Sequence, residues 1–451
     1  MHLVDESDAV PIASVDDLVA YFRSAGKPAD QWRVGTEHEL IGVRTGARVG
    51  TAPSYDGPDG IGAVLAAYAD RGWQPVREDD HVIALTRGDE QITLEPGGQF
   101  ELAARPVDDD RDFAADLAAH VATLGDVSRR LGLAWLSAGF RPLGRREDVP
   151  WMPKARYGVM RDYMPKVGSR GLEMMQRTAT VQANLDFSDE ADAAAKLRCL
   201  MSVTSILTAL WANSALVDGK PSGFQSYRAW VWRDTDRARS GLLRFVFERD
   251  DVYRAYADWA LDVPMYFVYR GGYRPVEGLT FRRFIADGWH GERATRADWA
   301  LHLSTLFPEA RLKRFIEVRG CDCGSLPMIA ALGPLCRGLL YDADARAAAT
   351  SLTAGLRWED RELLADEVPR AGMSARAGGR TLGELARELV TIARAGLSRV
   401  APASVALLDP VAEIAETGRT QADRAVELAE QAAGDVARLV AAMAQPGLGP
   451  A

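Results

Sequence analysis

Cysteine, histidine and long apolar runs are all scarce in this chain. Of 451 residues, four are cysteine and six are histidine. Four thiols in this length are too few for a disulfide framework and fit a reducing compartment, so a cytoplasmic location is expected. The histidines have no metal-like spacing, and Cys321-Asp322-Cys323 has no second cysteine pair nearby, so a zinc centre is not expected. No apolar run approaches the roughly 18–20 residues of a membrane helix. Met1–Glu6 lacks a basic region ahead of an apolar one. Neither a membrane partner nor a secretory signal is therefore expected. Positive charge is also in deficit, with 54 Lys and Arg against 63 Asp and Glu and a net charge of −9. That balance argues against a nucleic-acid partner. There is no Walker-type phosphate loop, no convincing dinucleotide fingerprint and no Gly-x-Ser-x-Gly elbow, which disfavours those three chemistries.

What the chain has is a strand-rich middle and a helical C-terminal third. Periodicity predicts helices over 14–26 (with Ser14 as N-cap), 59–72, 108–131 and 190–213. It predicts strands over 33–44, a pair within 81–104, then 133–140 and 177–187, and a further strand after 308–319 begins. Residues 141–171, rich in Pro, Gly and basic residues, read as a long loop with a short helix. From about 332 to 451 the pattern is helical, ending in a helix near 419–444. This order predicts an α+β fold in which helices cover one face of an antiparallel sheet. No repeat or long linker divides it.

Four segments carry polar residues at i and i+2, which on a strand share one face. Glu37 and Glu39 do so, as do Gln99 and Glu101, with Glu95 just before the Gly97-Gly98 bend. Thr178, Thr180, Gln182 and Asn184 alternate with Ala179, Val181, Ala183 and Leu185. Glu317 and Arg319 alternate with Ile316 and Val318. One such strand is ordinarily a solvated face. Four, each with an apolar opposite side, point to one concave surface bearing Glu37, Glu39, Glu95, Glu101 and Glu317. Five gathered carboxylates repel one another unless cations neutralise them. Mg²⁺ bound together with phosphates is the commonest answer, and Gln182 can add a neutral oxygen ligand. Arg319 and Arg177 suit an anionic group held by paired hydrogen bonds. Residues 140–171 hold eight basic residues against three acidic ones, interleaved with Trp151, Tyr157, Tyr163 and several Met. A basic, aromatic segment on an acidic chain suits a lid that meets an anionic small molecule.

At these same places the sequence resembles the glutamate–cysteine ligases of the plant and proteobacterial branch. The matching strings include Gly35-Thr36-Glu37-His38-Glu39, Leu94-Glu95-Pro96-Gly97-Gly98-Gln99-Phe100-Glu101, Met152-Pro153-Lys154-Ala155-Arg156-Tyr157, Thr180-Val181-Gln182-Ala183-Asn184-Leu185 and Phe307-Pro308-Glu309-Ala310-Arg311-Leu312-Lys313-Arg314. They keep their order from about residue 30 to about 400. The resemblance implies a curved antiparallel funnel like the glutamine synthetase catalytic domain, and a single catalytic domain over 1–451 with a helical portion from about 332. It implies ATP-dependent ligation of the glutamate γ-carboxylate to the cysteine amine through γ-glutamyl phosphate. A γ-glutamyl ligase of the same mechanism acting on another amine is the alternative. It implies Mg²⁺ on Glu37, Glu39, Glu95, Glu101, Gln182 and Glu317. Arg177 and Arg319 are the candidates for carboxylate or phosphate charge, and Lys313 and Arg314 for the nucleotide. Tyr157, Tyr163 and Tyr266 are candidates for shaping the amino-acid pockets. The expected partners are glutamate, cysteine and ATP, in a monomer or homodimer. Ala179 stands where plant members carry a regulatory cysteine, so that switch is not expected.

Overall fold

Nine segments pair into one sheet, and the strands that bear the acids alternate polar with apolar residues at period two. A computed structural model describes residues 8–450, and the reading of Met1–Glu6 lies outside them. The strands are β1 (Val34–Arg44), β2 (Gln74–Glu78), β3 (His81–Arg87), β4 (Glu90–Leu94), β5 (Phe100–Ala103), β6 (Leu133–Leu136), β7 (Thr180–Leu185), β8 (Ala310–Leu312) and β9 (Ile316–Asp322). Their order is β8-β9-β7-β1-β5-β4-β3-β2, with β6 joined to the far end of β1. Every neighbouring pair is antiparallel.

The register sets the polar faces side by side. Glu39 lies opposite Glu101, Glu37 opposite Gln182, and Glu317 opposite both Asn184 and Arg311. On the other side of the sheet lie α1 (Asp110–Leu131), α4 (Glu190–Leu210) and α6 (Leu326–Leu340), with α8 (Leu382–Val400) outside α6. Between these along the chain come α2 (Ala155–Tyr163), α3 (Gly171–Arg177), α5 (Tyr227–Trp232) and α7 (Trp358–Ala371). The helices α6 and α8 cross at two glycines: a Cβ on Gly396 would lie 2.1 Å from the Gly338 carbonyl oxygen. Buried side chains from Ile12 to Leu448 form one connected core.

Several boundaries differ from the sequence reading. Residues 81–104 hold three strands, and β2 precedes them unpredicted. It is a short edge strand with Gln74, Pro75 and Arg77 exposed, so no apolar run marks it. The strand expected from 177 starts at Thr180, because α3 runs through Arg177. The C-terminal helical portion begins at Leu326, ahead of 332. The last expected helix is two, Gln421–Ala432 and Val436–Met443, broken where Ala433 and Gly434 take φ of 51° and 86°. By length and composition α4 is long and apolar enough to cross a membrane, contrary to the sequence reading, but 89% of its apolar window is buried inside the protein.

The bend between β4 and β5 is set by close contact. A Cβ on Gly97 would lie 2.1 Å from the carbonyl oxygen of Gln176 on α3. Gly97→Ala is expected to lower stability by about 1–3 kcal/mol, the usual cost of overpacking, measured by urea unfolding.

Candidate functional site

The polar face of the sheet forms the floor of an open cavity with about 840 Å³ of free space. Glu37 and Glu39 reach it from β1, Glu95 and Gln99 from the β4–β5 bend, Glu101 from β5, and Thr180 and Gln182 from β7. Lys313, Arg311 and Arg319 form one wall. Arg228 and Trp232 of α5 and Phe307 lie beside Arg319, and Arg156 and Tyr157 on α2 also line the cavity.

Hydrogen bonds orient three of the acids on the floor. Asn184 Nδ2 donates to Glu37 Oε1 at 2.7 Å, the Thr180 amide to Glu39 Oε2 at 3.0 Å, and Thr93 Oγ1 to Glu101 Oε1 at 3.1 Å. Gln99 ties the bend to β7: its Nε2 donates to the Thr178 carbonyl at 2.7 Å while its Oε1 accepts from Gly97 N at 2.9 Å. Withdrawal from water, reinforced by the facing Glu95 and Glu101, holds the Glu39 carboxyl well above the usual range. Burial and the charge of Glu101 push Glu95 up to about 7. Oxygen-rich and electrostatically frustrated, this floor has the donor chemistry of a hard divalent cation. Among the described residues, no three His, Cys, Asp or Glu side chains yet converge closely enough to chelate one.

The opposing wall is basic. Glu317, expected among the metal ligands, does not line the cavity. It is fully buried and paired with Arg311 Nη2 (2.5 Å), Arg319 Nη1 (2.7 Å) and Lys313 Nζ (3.1 Å). Burial would raise its pKa, but these three cations hold it well below the carboxylate range. It therefore acts as the counter-ion that fixes them at the wall. Arg319 Nη1 also donates to Gln182 Oε1 at 2.7 Å, joining wall to floor.

Other expected residues fall elsewhere. Arg177 ends α3, ahead of the strand it was expected to begin. It pairs with Asp218 (2.8 Å) and Glu173 (3.3 Å) over the Phe140 ring, away from the cavity lining. Arg314 points outward to the Tyr21 ring and Ser24, because it alternates with Lys313. Tyr163 and Tyr266 pack edge to face at 4.7 Å, with Arg239 3.8 Å above Tyr266, and do not line the cavity. Tyr157 does line it, and its hydroxyl donates to the Leu94 carbonyl. His38 faces the core, T-shaped against His120 at 5.8 Å, and burial lowers its pKa to about 4. All four cysteines are free and buried.

Arg156, Arg228, Arg311, Trp232 and Phe307 line the cavity without having been singled out. Arg156 is the one residue of the eight basic ones in 140–171 that does so. Others there are engaged at the surface, Lys166 with Glu277 and Arg170 over the Trp230 ring. Arg311 carried a signal, since it alternates with Lys313 ahead of the Glu317 strand. Arg228 carried none, because its place depends on how α5 docks.

Comparison with known proteins gives a consistent picture. The profile of glutamate–cysteine ligase family 2 matches residues 33–442. Chloroplastic glutamate–cysteine ligases of Brassica juncea and Arabidopsis thaliana are 43% and 42% identical, each over 92% of this chain and 80% and 79% of their own length. That of Medicago truncatula is 43% identical over 91% of this chain and 81% of its own. A crystal structure of glutamate–cysteine ligase from Francisella tularensis in complex with AMP shares the fold, with a TM-score of 0.53 at 15% identity over 89% of this chain and 85% of that one. The expected cytoplasmic location is overturned by the curated relatives, which are named as chloroplastic.

Two substitutions separate the wall from the surface. Glu317→Gln strips the counter-charge from three buried cations and is expected to cost about 3–5 kcal/mol in urea unfolding. Arg314→Ala, on an exposed side chain, is expected to change stability by less than about 0.5 kcal/mol and to leave the KM for ATP unaltered in steady-state assays.

Proposed function

The chain belongs to glutamate–cysteine ligase family 2, and on that premise we propose how its cavity residues divide the work. The protein is an ATP-dependent ligase that joins the γ-carboxylate of glutamate to the amine of cysteine, a step of glutathione biosynthesis. A carboxylate is a poor electrophile. Transfer of the γ-phosphoryl group of ATP to the glutamate γ-carboxylate gives an acyl phosphate, and the cysteine amine displaces phosphate from it. Glu37, Glu39, Glu95 and Glu101, with Gln182 as a neutral oxygen, would hold Mg²⁺, which supplies neutralising charge to the phosphate oxygens.

The remaining roles belong to the chain's own groups. Arg311, Lys313 and Arg319, clamped by Glu317, present positive charge to the transferred phosphoryl group or the glutamate carboxylates. Arg156 and Arg228 bring two further buried guanidinium groups to the same space. Tyr157, Trp232 and Phe307 give it apolar sides that keep water from the acyl phosphate. The whole chain is proposed to act as one catalytic domain. The observation that carries the assignment is the separation of charge across one cavity: four acids on the floor, three clamped cations on the wall.

The test is ADP release with Mg²⁺, ATP and glutamate, adding amines one at a time. Release that needs cysteine, ceases with EDTA and returns with Mg²⁺ is expected. Glu37→Gln and Glu95→Gln are expected to lower kcat by roughly 100-fold or more, the scale for losing one preorganised electrostatic group. Full turnover in both variants would remove these carboxylates from the reaction.

A further inference from the structure

A second cavity lies on the side of α4 away from the sheet, with about 1030 Å³ of free space open to solvent. It is lined by Arg198 and Ser202 of α4, by Arg357, Trp358 and Arg361 at the start of α7, and by the Phe247 ring. Ser202 is two residues from Thr204, which on a helix is nearly half a turn round. Thr204 bonds Glu309 Oε2 at 3.2 Å on the side that packs against the sheet, and none of the described residues lines both cavities.

Arg361 is the unusual member. It is 7% exposed, and its guanidinium carbon lies 4.3 Å from the Phe247 centroid. Its Nη1 and Nη2 donate to Thr353 Oγ1 (3.1 Å) and the Thr353 carbonyl (2.7 Å), both neutral acceptors. Among the described residues no carboxylate pairs with it, and burial lowers its pKa with nothing opposing. The other three cations of the cavity each have an acid: Arg198 with Asp250 (2.9 Å), Arg244 with Glu248 (2.6 Å) and Arg357 with Asp360 (3.1 Å). Glu248 and Glu359 also reach the wall and limit the net charge.

A buried guanidinium without a counter-ion is unfavourable unless something supplies one. Here the missing charge faces an open cavity, flanked by the Phe247 and Trp358 rings, 6.4 Å apart. We infer that this cavity is a binding site for a small oxyanion, centred on Arg361 and separate from the catalytic cavity. The anion supplies the counter-charge that the fold omits. The rings suit an apolar body attached to it. Arg244 and Arg357 are held in exposed pairs and are free to turn inward, whereas Arg198 is fixed by the Val246 and Arg249 carbonyls.

Crystals of the full-length protein soaked in tungstate are expected to show an anomalous peak beside Arg361. A peak confined to the catalytic cavity would overturn the inference, and this reading needs no variant to fold. In solution, calorimetric titration with inorganic phosphate and, separately, with benzoate distinguishes a tetrahedral from a planar carboxylate preference. Arg361→Gln is expected to weaken the tighter-binding of these probes at this site by roughly 10- to 100-fold, the loss of one charge-assisted contact. Arg361→Lys is expected to retain part of the binding, and ADP release at saturating substrates is expected to stay unchanged in both. An anomalous peak that persists at this place in Arg361→Gln crystals would equally overturn the role of Arg361.

Discussion

Four carboxylates cannot share one sheltered cavity floor without counter-charge, and much of this architecture answers that constraint. Glu39, Glu95 and Glu101 face one another closely enough that the first two are pushed toward protonation. The fold meets the problem in two ways. Glu37, Glu39 and Glu101 are each oriented by a donor, from Asn184, Thr180 and Thr93. Across the cavity stand Arg311, Lys313 and Arg319, which would repel one another in turn without Glu317 buried between them. Substrate phosphates and a divalent cation, on the proposed assignment, complete an arrangement that the protein alone leaves unbalanced.

The scaffold explains how such charges are held. In an antiparallel sheet the register fixes which side chains are neighbours, and the two-residue period fixes which face they take. Glu39 opposite Glu101 and Glu37 opposite Gln182 follow from pairing β1 with β5 and β7. The reverse face is apolar and is covered by α4 and α6, so a slip of one residue would expose the core and bury the acids. The site and the core are thus specified by the same register. The second cavity shows the opposite situation. There, Arg361 is held by neutral oxygens on a helical layer, and its charge has no partner built into the fold.

Arg177 and Arg319 illustrate what a local pattern can miss. Both were candidates for holding an anionic group beside the strand-borne acids. Arg319 is on β9 and reaches the cavity, whereas Arg177 is the last residue of a helix and turns to Asp218. Lys313 and Arg314 divide in the same way, since adjacent residues leave an extended chain on opposite sides. The tyrosines divide by environment: Tyr157 lines the cavity, while Tyr163 and Tyr266 are used for packing around Arg239.

The α+β class, the polar faces with their glutamates and Gln182, and the family are legible along the chain. These are properties of short spacing and of long matching strings. Folding in three dimensions places Glu317 in a cluster of cations, brings Arg156 and Arg228 to the cavity, and buries Arg361 without an acid. The first follows from how β8 folds back on β9, and the others from which helix docks where. Arg156 and Arg228 meet the floor acids only through that docking, so no local pattern along the chain encodes their contact.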